Sequence, residues 1–146
     1  MELTENTIFI TGGGTGIGRG LAEALHKLGN KVIISGRRKE ALGATTKGNP
    51  GMDSMELDVS DPASIATVAK TLIADYPALN VLINNAGIML IDDAAGKIDE
   101  QLLTSTITTN LLGPIRLTAA PTSNSLRKET ASILSISPVS AAAGRI

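Results

Sequence analysis

Eight residues, Thr11 to Gly18, read TGGGTGIG and put five glycines directly behind the apolar run Ile8-Phe9-Ile10. Glycine loses more backbone entropy on folding than any other residue, so a cluster this dense is kept where the chain turns tightly or where another group approaches the backbone. The flanks decide which. Thr7 to Thr11 is β-branched and apolar, as a strand buried on both faces should be. From Gly16 onward Ile17, Leu21, Ala24, Leu25 and Leu28 recur at helical spacing, and Gly29-Asn30 closes the run as a helix C-cap would. Strand, glycine turn and helix in that order make an anion site, because the helix start presents unpaired N–H groups and the positive end of its dipole. The spacing of Gly12, Gly16 and Gly18 is G-x-x-x-G-x-G, and no G-x-x-x-x-G-K follows, which argues against the loop of nucleoside triphosphatases. Gly12 is read as the sharp exit from the strand, Gly16 as the close approach to a pyrophosphate, and Gly18 as the position that lets the helix lie on the sheet.

The alternation continues along the chain. Lys31 to Ser35 reads as a second strand, Lys39 to Ala44 as a short helix ending in the loop Gly48-Asn49-Pro50-Gly51, and Met55-Glu56-Leu57 as a third strand. Asp61 before Pro62 is a helix start, followed by a stripe of Ile65, Val68, Leu72 and Ile73. Leu79 to Ile83 is a fourth strand, Ile98 to Leu117 a helix, and Ile133 to Ile136 a fifth strand. Strands separated by helices predict a doubly wound α/β fold, a parallel sheet of about five strands with helices on both faces. In such a sheet the ligand sits at the carboxyl ends of the strands, where their order reverses.

Length and composition bound the rest. A chain of 146 residues holds one ordinary domain, read as 1–146, and is too short for two. A net charge of −1 offers no basic excess for nucleic-acid phosphates, so nucleic acid is not an expected partner. The opening MELTENTIF carries acids, and no apolar run approaches the roughly 20 residues that span a bilayer, so no membrane association is expected and the expected location is the cytoplasm. With no cysteine, disulfides and thiolate metal sites are excluded. Asp92-Asp93, with Asp99 and Glu100, read as a solvated loop and helix start, since one histidine and no ligand spacing give a metal no cage. That histidine, His26, is expected on the exposed side of its helix.

A second motif, Asn84-Asn85-Ala86-Gly87, follows the fourth strand at once. Together with Thr11-Gly12-x-x-x-Gly16-x-Gly18, Asp58-Val59 behind the third strand and Asn110 in TTNLLGPI, it closely resembles the short-chain dehydrogenase/reductase family over nearly the whole chain. The resemblance implies a Rossmann-like fold lacking the family's C-terminal strands, a homo-oligomer, and a small carbonyl or alcohol substrate. It implies that Gly12, Gly14, Thr15 and Ile17 line the pyrophosphate and ribose, that Asp58 and Val59 hold the adenine, and that Asn85, Ala86 and Gly87 pass under the second ribose. Taken singly, Asp58 serves equally as a turn cap and Asn85 as a tie between strands.

The second strand ends in Gly36, where a carboxylate would accept hydrogen bonds from the adenosine ribose, and Arg37-Arg38 follow. Cations there suit a 2′-phosphate, so NADP is expected ahead of NAD. The alternative is a solvated basic turn. For hydride transfer the family uses a tyrosine with a lysine four residues on, a serine and an asparagine. Asn110 matches the asparagine. Pro138 stands at the serine's position, with Ser137 before it and Ser140 two beyond, and Tyr76, the only tyrosine, has Asn80 four residues later, so no Y-x-x-x-K exists. Pro121 interrupts the expected helix, and Thr122, Ser123 and Asn124 are poor helix formers. The expectation is therefore a chain that is catalytically incomplete, with a non-catalytic dinucleotide-binding or interaction module as the alternative.

Overall fold

In the computed structural model, which describes residues 3–89, 99–120 and 131–136, the strand Thr7–Thr11 (β1) is buried on both faces at the centre of a parallel sheet. Lys31–Gly36 (β2) and Leu79–Asn84 (β4) flank it, and Asp53–Glu56 (β3) and Ser132–Ser135 (β5) lie outside them, in the order β3-β2-β1-β4-β5. The predicted doubly wound α/β class is the observed one. Ile8 pairs with Val32 on one side and Val81 on the other. Because side chains alternate across a strand, Ile8, Ile10, Val32 and Ile34 join one core, and Phe9, Ile33 and Leu82 join a second on the opposite face.

Helices Gly16–Lys27 (α1) and Lys39–Gly48 (α2) cover the first core with Ala22, Leu25 and Leu42. Pro62–Asp75 (α3) and Gly113–Ala119 (α5) cover the second with Ile65, Val68, Leu72 and Leu117. Each fully buried aliphatic side chain contributes about 1.5–3 kcal/mol relative to exposure. The stripes shift from those expected. On α1 the buried positions are Gly18, Ala22 and Leu25, whereas Ala24 and Leu28 are exposed and Ile17 is 74% exposed. On α3 Ala69 is buried and Ile73 is exposed. Helical spacing alone leaves the rotation of a stripe open by about one residue, and the sheet decides it.

Boundaries move too. Helix α2 runs on to Gly48, β3 begins at Asp53 before the expected Met55, and Leu57 still pairs with the Gly36 carbonyl at 3.0 Å. Gly29 adopts φ +88 and donates to the His26 carbonyl, closing α1 as expected. His26 is half-buried rather than exposed, with Nε2 3.1 Å from the Pro50 carbonyl. The long helix divides into Glu100–Ile107 (α4), a π-helical turn over Thr108–Leu112, and α5. Pro114 has no N–H for the Asn110 carbonyl, and the Gly113 N–H reaches Thr108, five residues back, so the register widens there. Asp92, Asp93, Ile98, the Pro121–Asn124 stretch, Ser137, Pro138 and Ser140 lie outside the described residues. Among the described residues no helix is long and apolar enough to cross a membrane.

At the amino ends of the strands the polar groups close on one another. Asn30, 3% exposed, accepts from Asn6 N at 2.9 Å and donates to the Leu3 and Leu25 carbonyls at 2.8 Å each. Asn80 donates to Asn6 Oδ1 at 2.9 Å and accepts from Thr7 N at 3.0 Å. Beside them Asp53 receives Lys31 Nζ at 2.7 Å and the Tyr76 hydroxyl at 2.8 Å.

Candidate functional site

Strand connections run outward from β1 to β3 and then cross back to β4, so the order reverses between β1 and β4. At the carboxyl ends of these strands lies a cleft of about 980 Å³. The glycine turn forms its floor. Gly12 sits at φ +70, and a Cβ there would press on Ala86 and Asn85 at 3.0 Å. Gly16, at φ +56, faces open space. A Cβ on Gly18 would fall on Gly12 O and Asn85 Nδ2, inside van der Waals contact, so only a hydrogen there lets α1 seat against the sheet. Gly13, which the sequence reading passed over, is equally constrained: its added Cβ would lie 2.6 Å from Ile34 Cβ.

The N-cap of α1 differs from those of α3 and α4, and like that of α2 it carries no side-chain cap. Asp61 caps α3 by accepting from Ala63 N and Ser64 N, and Asp99 caps α4 by accepting from Gln101 N and Leu102 N. Thr15 stands at the same place on α1 with extended backbone but makes no side-chain cap, and the first turn holds no acid. The helix start is thus left to its dipole and its amides, facing the cleft. The Thr15 hydroxyl instead accepts from Arg38 Nη2 at 3.0 Å.

The sequence-expected residues gather here. Gly12, Gly14, Thr15 and Ile17 line the cleft from the turn, Arg37 and Arg38 from the end of β2, Asp58 and Val59 from the end of β3, and Asn85, Ala86 and Gly87 from the end of β4. Ile17's exposure follows from this position. Asp58 also caps its own turn, receiving Ser60 N at 2.9 Å and the Ser60 hydroxyl at 2.6 Å. The Ser60 hydroxyl holds the Asp58 carboxyl below its ordinary range against the opposing effect of burial, with the Ser60 amide and the Arg37 charge assisting. Asn85 ties strands together, its Nδ2 donating to Thr11 O at 3.0 Å and Gly12 O at 3.3 Å. Thr11 completes that tie by accepting Asn85 N and Ala86 N at 3.0 and 2.9 Å. Thr11 belongs to the sequence motif, but its hydroxyl's role appears only once β1 and β4 are neighbours.

Asn110 projects from the π-helical turn and does not line the cleft. Its Oδ1 accepts from Ile88 N and its Nδ2 donates to Ile88 O, both at 2.8 Å, so both atoms of its amide help hold the segment after β4. Thr109 is the cleft residue of that turn. Tyr76 is far from this chemistry, at the amino ends of the strands, where burial and then the Asp53 hydrogen bond push its hydroxyl up to about 12. Among the described residues no group of His, Asp and Glu could hold a metal.

Residues 6–146 match the short chain dehydrogenase family. An uncharacterized oxidoreductase of Bacillus subtilis, DltE, is 36% identical over 137 residues, 93% of this chain and 54% of its own length. The 3-oxoacyl-[acyl-carrier-protein] reductase FabG of Rickettsia prowazekii is 34% identical over 144 residues, 99% of this chain and 58% of its own. Among solved structures, a short-chain dehydrogenase from Streptomyces avermitilis superposes with a TM-score of 0.81 at 31% identity, over 89% of this chain and 48% of that one. The 3-ketoacyl-(acyl-carrier-protein) reductase of Brucella melitensis, complexed with NADH, shares the fold with a TM-score of 0.74 at 24% identity, over 80% of this chain and 49% of that one. The chain spans about half the length of the curated relatives it matches.

Proposed function

This chain belongs to the short-chain dehydrogenase family, and from that premise we propose that it supplies the cofactor-binding residues of an oxidoreductase moving hydride between NADP(H) and a small carbonyl or secondary alcohol. The carrying observation is the uncapped start of α1, which opens into a cleft at the reversal of strand order with Arg37 and Arg38 on its rim. The donor set fits a dinucleotide: helix-start amides and open space at Gly16 for a diphosphate, Asp58 and Val59 for an adenine, and Asn85 to Gly87 for a ribose. When bound, NADP(H) supplies or accepts the hydride. Asn110 positions the segment after β4 through Ile88, and Arg37 and Arg38 favour a 2′-phosphate in a place where no carboxylate of β2 would repel it.

Titration of the chain with NADPH and NADH tests the reading. We expect tighter NADPH binding, and Arg37→Glu to weaken NADPH at least about 10-fold while changing NADH less than about 3-fold. Equal losses for both would overturn the NADP assignment. The position of Tyr76 supports a second reading, a chain that binds the cofactor without turning over a substrate on its own. Binding without turnover of a carbonyl substrate distinguishes it. A homo-oligomer is the proposed assembly, supported by exposed Leu103, Ile107, Leu111 and Ile115, four residues apart through α4, the π-helical turn and α5.

A further inference from the structure

Three consecutive cations follow β2, and their partners differ. Lys39 Nζ lies 2.8 Å from Glu56 Oε2, a carboxylate that a phosphate would have to displace. Arg37 shares its side of the cleft with the Asp58 carboxylate. Arg38 is held by an uncharged acceptor, the Thr15 hydroxyl, through one of its five N–H groups. Four donors and the whole positive charge therefore remain for an incoming anion.

The Thr15 bond is unusual for where it stands. A threonine at an N-cap ordinarily turns its hydroxyl onto the helix amides, and here the hydroxyl is drawn away across 23 residues of sequence to the arginine. One side chain thereby leaves the α1 start uncapped and fixes a long, exposed arginine that would otherwise lose much rotamer freedom on gripping a phosphate. We propose that Thr15 is a positioning residue that sets 2′-phosphate discrimination by pre-orienting Arg38, which makes Arg38 the principal phosphate-gripping cation of the three. This rests on the cofactor reading above and adds to it which residues decide the choice between NADP and NAD.

The test is calorimetric titration of NADPH and NADH against the wild-type chain, Thr15→Val, Thr15→Ser, Arg38→Ala and the double variant Thr15→Val/Arg38→Ala, with circular dichroism confirming that each is folded. Arg38→Ala should weaken NADPH by about 10–100-fold and leave NADH within about 2-fold. Thr15→Val should lower the preference for NADPH over NADH by about 5-fold, and Thr15→Ser should restore it, since serine keeps the acceptor. In the Arg38→Ala background Thr15→Val should have no further effect on that preference. Equal weakening of both cofactors by Thr15→Val, or additive losses in the double variant, would overturn the inference while the NADP reading survives in the wild-type preference. A wild-type chain that binds both cofactors equally would overturn the reading and the inference together. If Thr15→Val fails to fold, Thr15→Ser against Thr15→Ala supplies the same contrast, and unchanged NADPH selectivity in Thr15→Ala sinks the proposal.

Discussion

At the amino ends of the strands Asn30 spends both atoms of its amide on the protein interior, whereas at the carboxyl ends Thr15 turns its hydroxyl aside and leaves a helix start uncapped. The first end is closed by polar side chains that hold backbone together. The second is built from missing side chains, with glycines bringing backbone close and leaving amides at the surface. The closed end thus holds the fold without lining the cleft, so a change there should spare the cleft, whereas a change at the open end should disturb packing and cleft together.

Adding a methyl at the open end should have the largest effect. Gly18→Ala forces a Cβ onto Gly12 O and Asn85 Nδ2, both held by the β1–β4 tie, and we expect a loss of about 3 kcal/mol or more in urea unfolding together with loss of cofactor binding. Full stability in this variant would mean that α1 stands off the sheet. Removing polar atoms at the closed end comes next. Asn30→Ala removes the side-chain acceptor of Asn6 N and one of the two donors to the Leu25 carbonyl, and should cost about 1–3 kcal/mol while the folded protein binds NADPH unchanged. A shift in affinity as large as the shift in stability would break the separation of the two ends.

The smallest effects belong to the Tyr76–Asp53–Lys31 group. Tyr76→Phe should cost about 0.5–1 kcal/mol and leave cofactor binding untouched. The pH dependence has opposite signs for the two partners. The Lys31 hydrogen bond holds the Asp53 carboxyl below its ordinary 3.8 against burial, with Tyr76 assisting, so the stability it contributes is present above 3.8 and lost as pH falls through the lower folded value. Burial, then Asp53, raises Tyr76 from 10.0 to about 12, so its contribution is present below 10 and lost as pH rises toward 12. Tyr76→Phe should remove this tyrosine's share of the alkaline loss of stability and keep the acid loss, as followed by pH-dependent unfolding.

The glycines at 12, 16 and 18 announced a strand-to-helix turn because their cost has few other justifications, and the strand–helix alternation announced the parallel sheet. Ile17 misled the reading of α1 for a physical reason. An isoleucine at helical spacing reads as core, and only the presence of the cleft beside it explains its exposure. Asn30 was legible as part of a helix end and not as the centre of a network, since Asn6 and Leu3 lie more than 20 residues away in sequence. Asn110 was read as catalytic from its motif, and the π-helical turn that aims its amide at Ile88 follows from a missing N–H at Pro114 and from packing against it.

By itself the sequence determined the order of elements, the two-sided burial of the strands and the place of the glycine turn, because these depend on local periodicity and on glycine's backbone freedom. Only the tertiary structure decided which hydroxyls and amides meet, namely Thr11 with Asn85 and Ala86, Asn110 with Ile88, and Thr15 with Arg38. Hydrogen bonds need partners within about 3 Å and aligned. Partners 22 to 75 residues apart in the chain come within that distance only when β1, β2 and β4 are laid side by side and the π-helical turn packs beside the segment after β4.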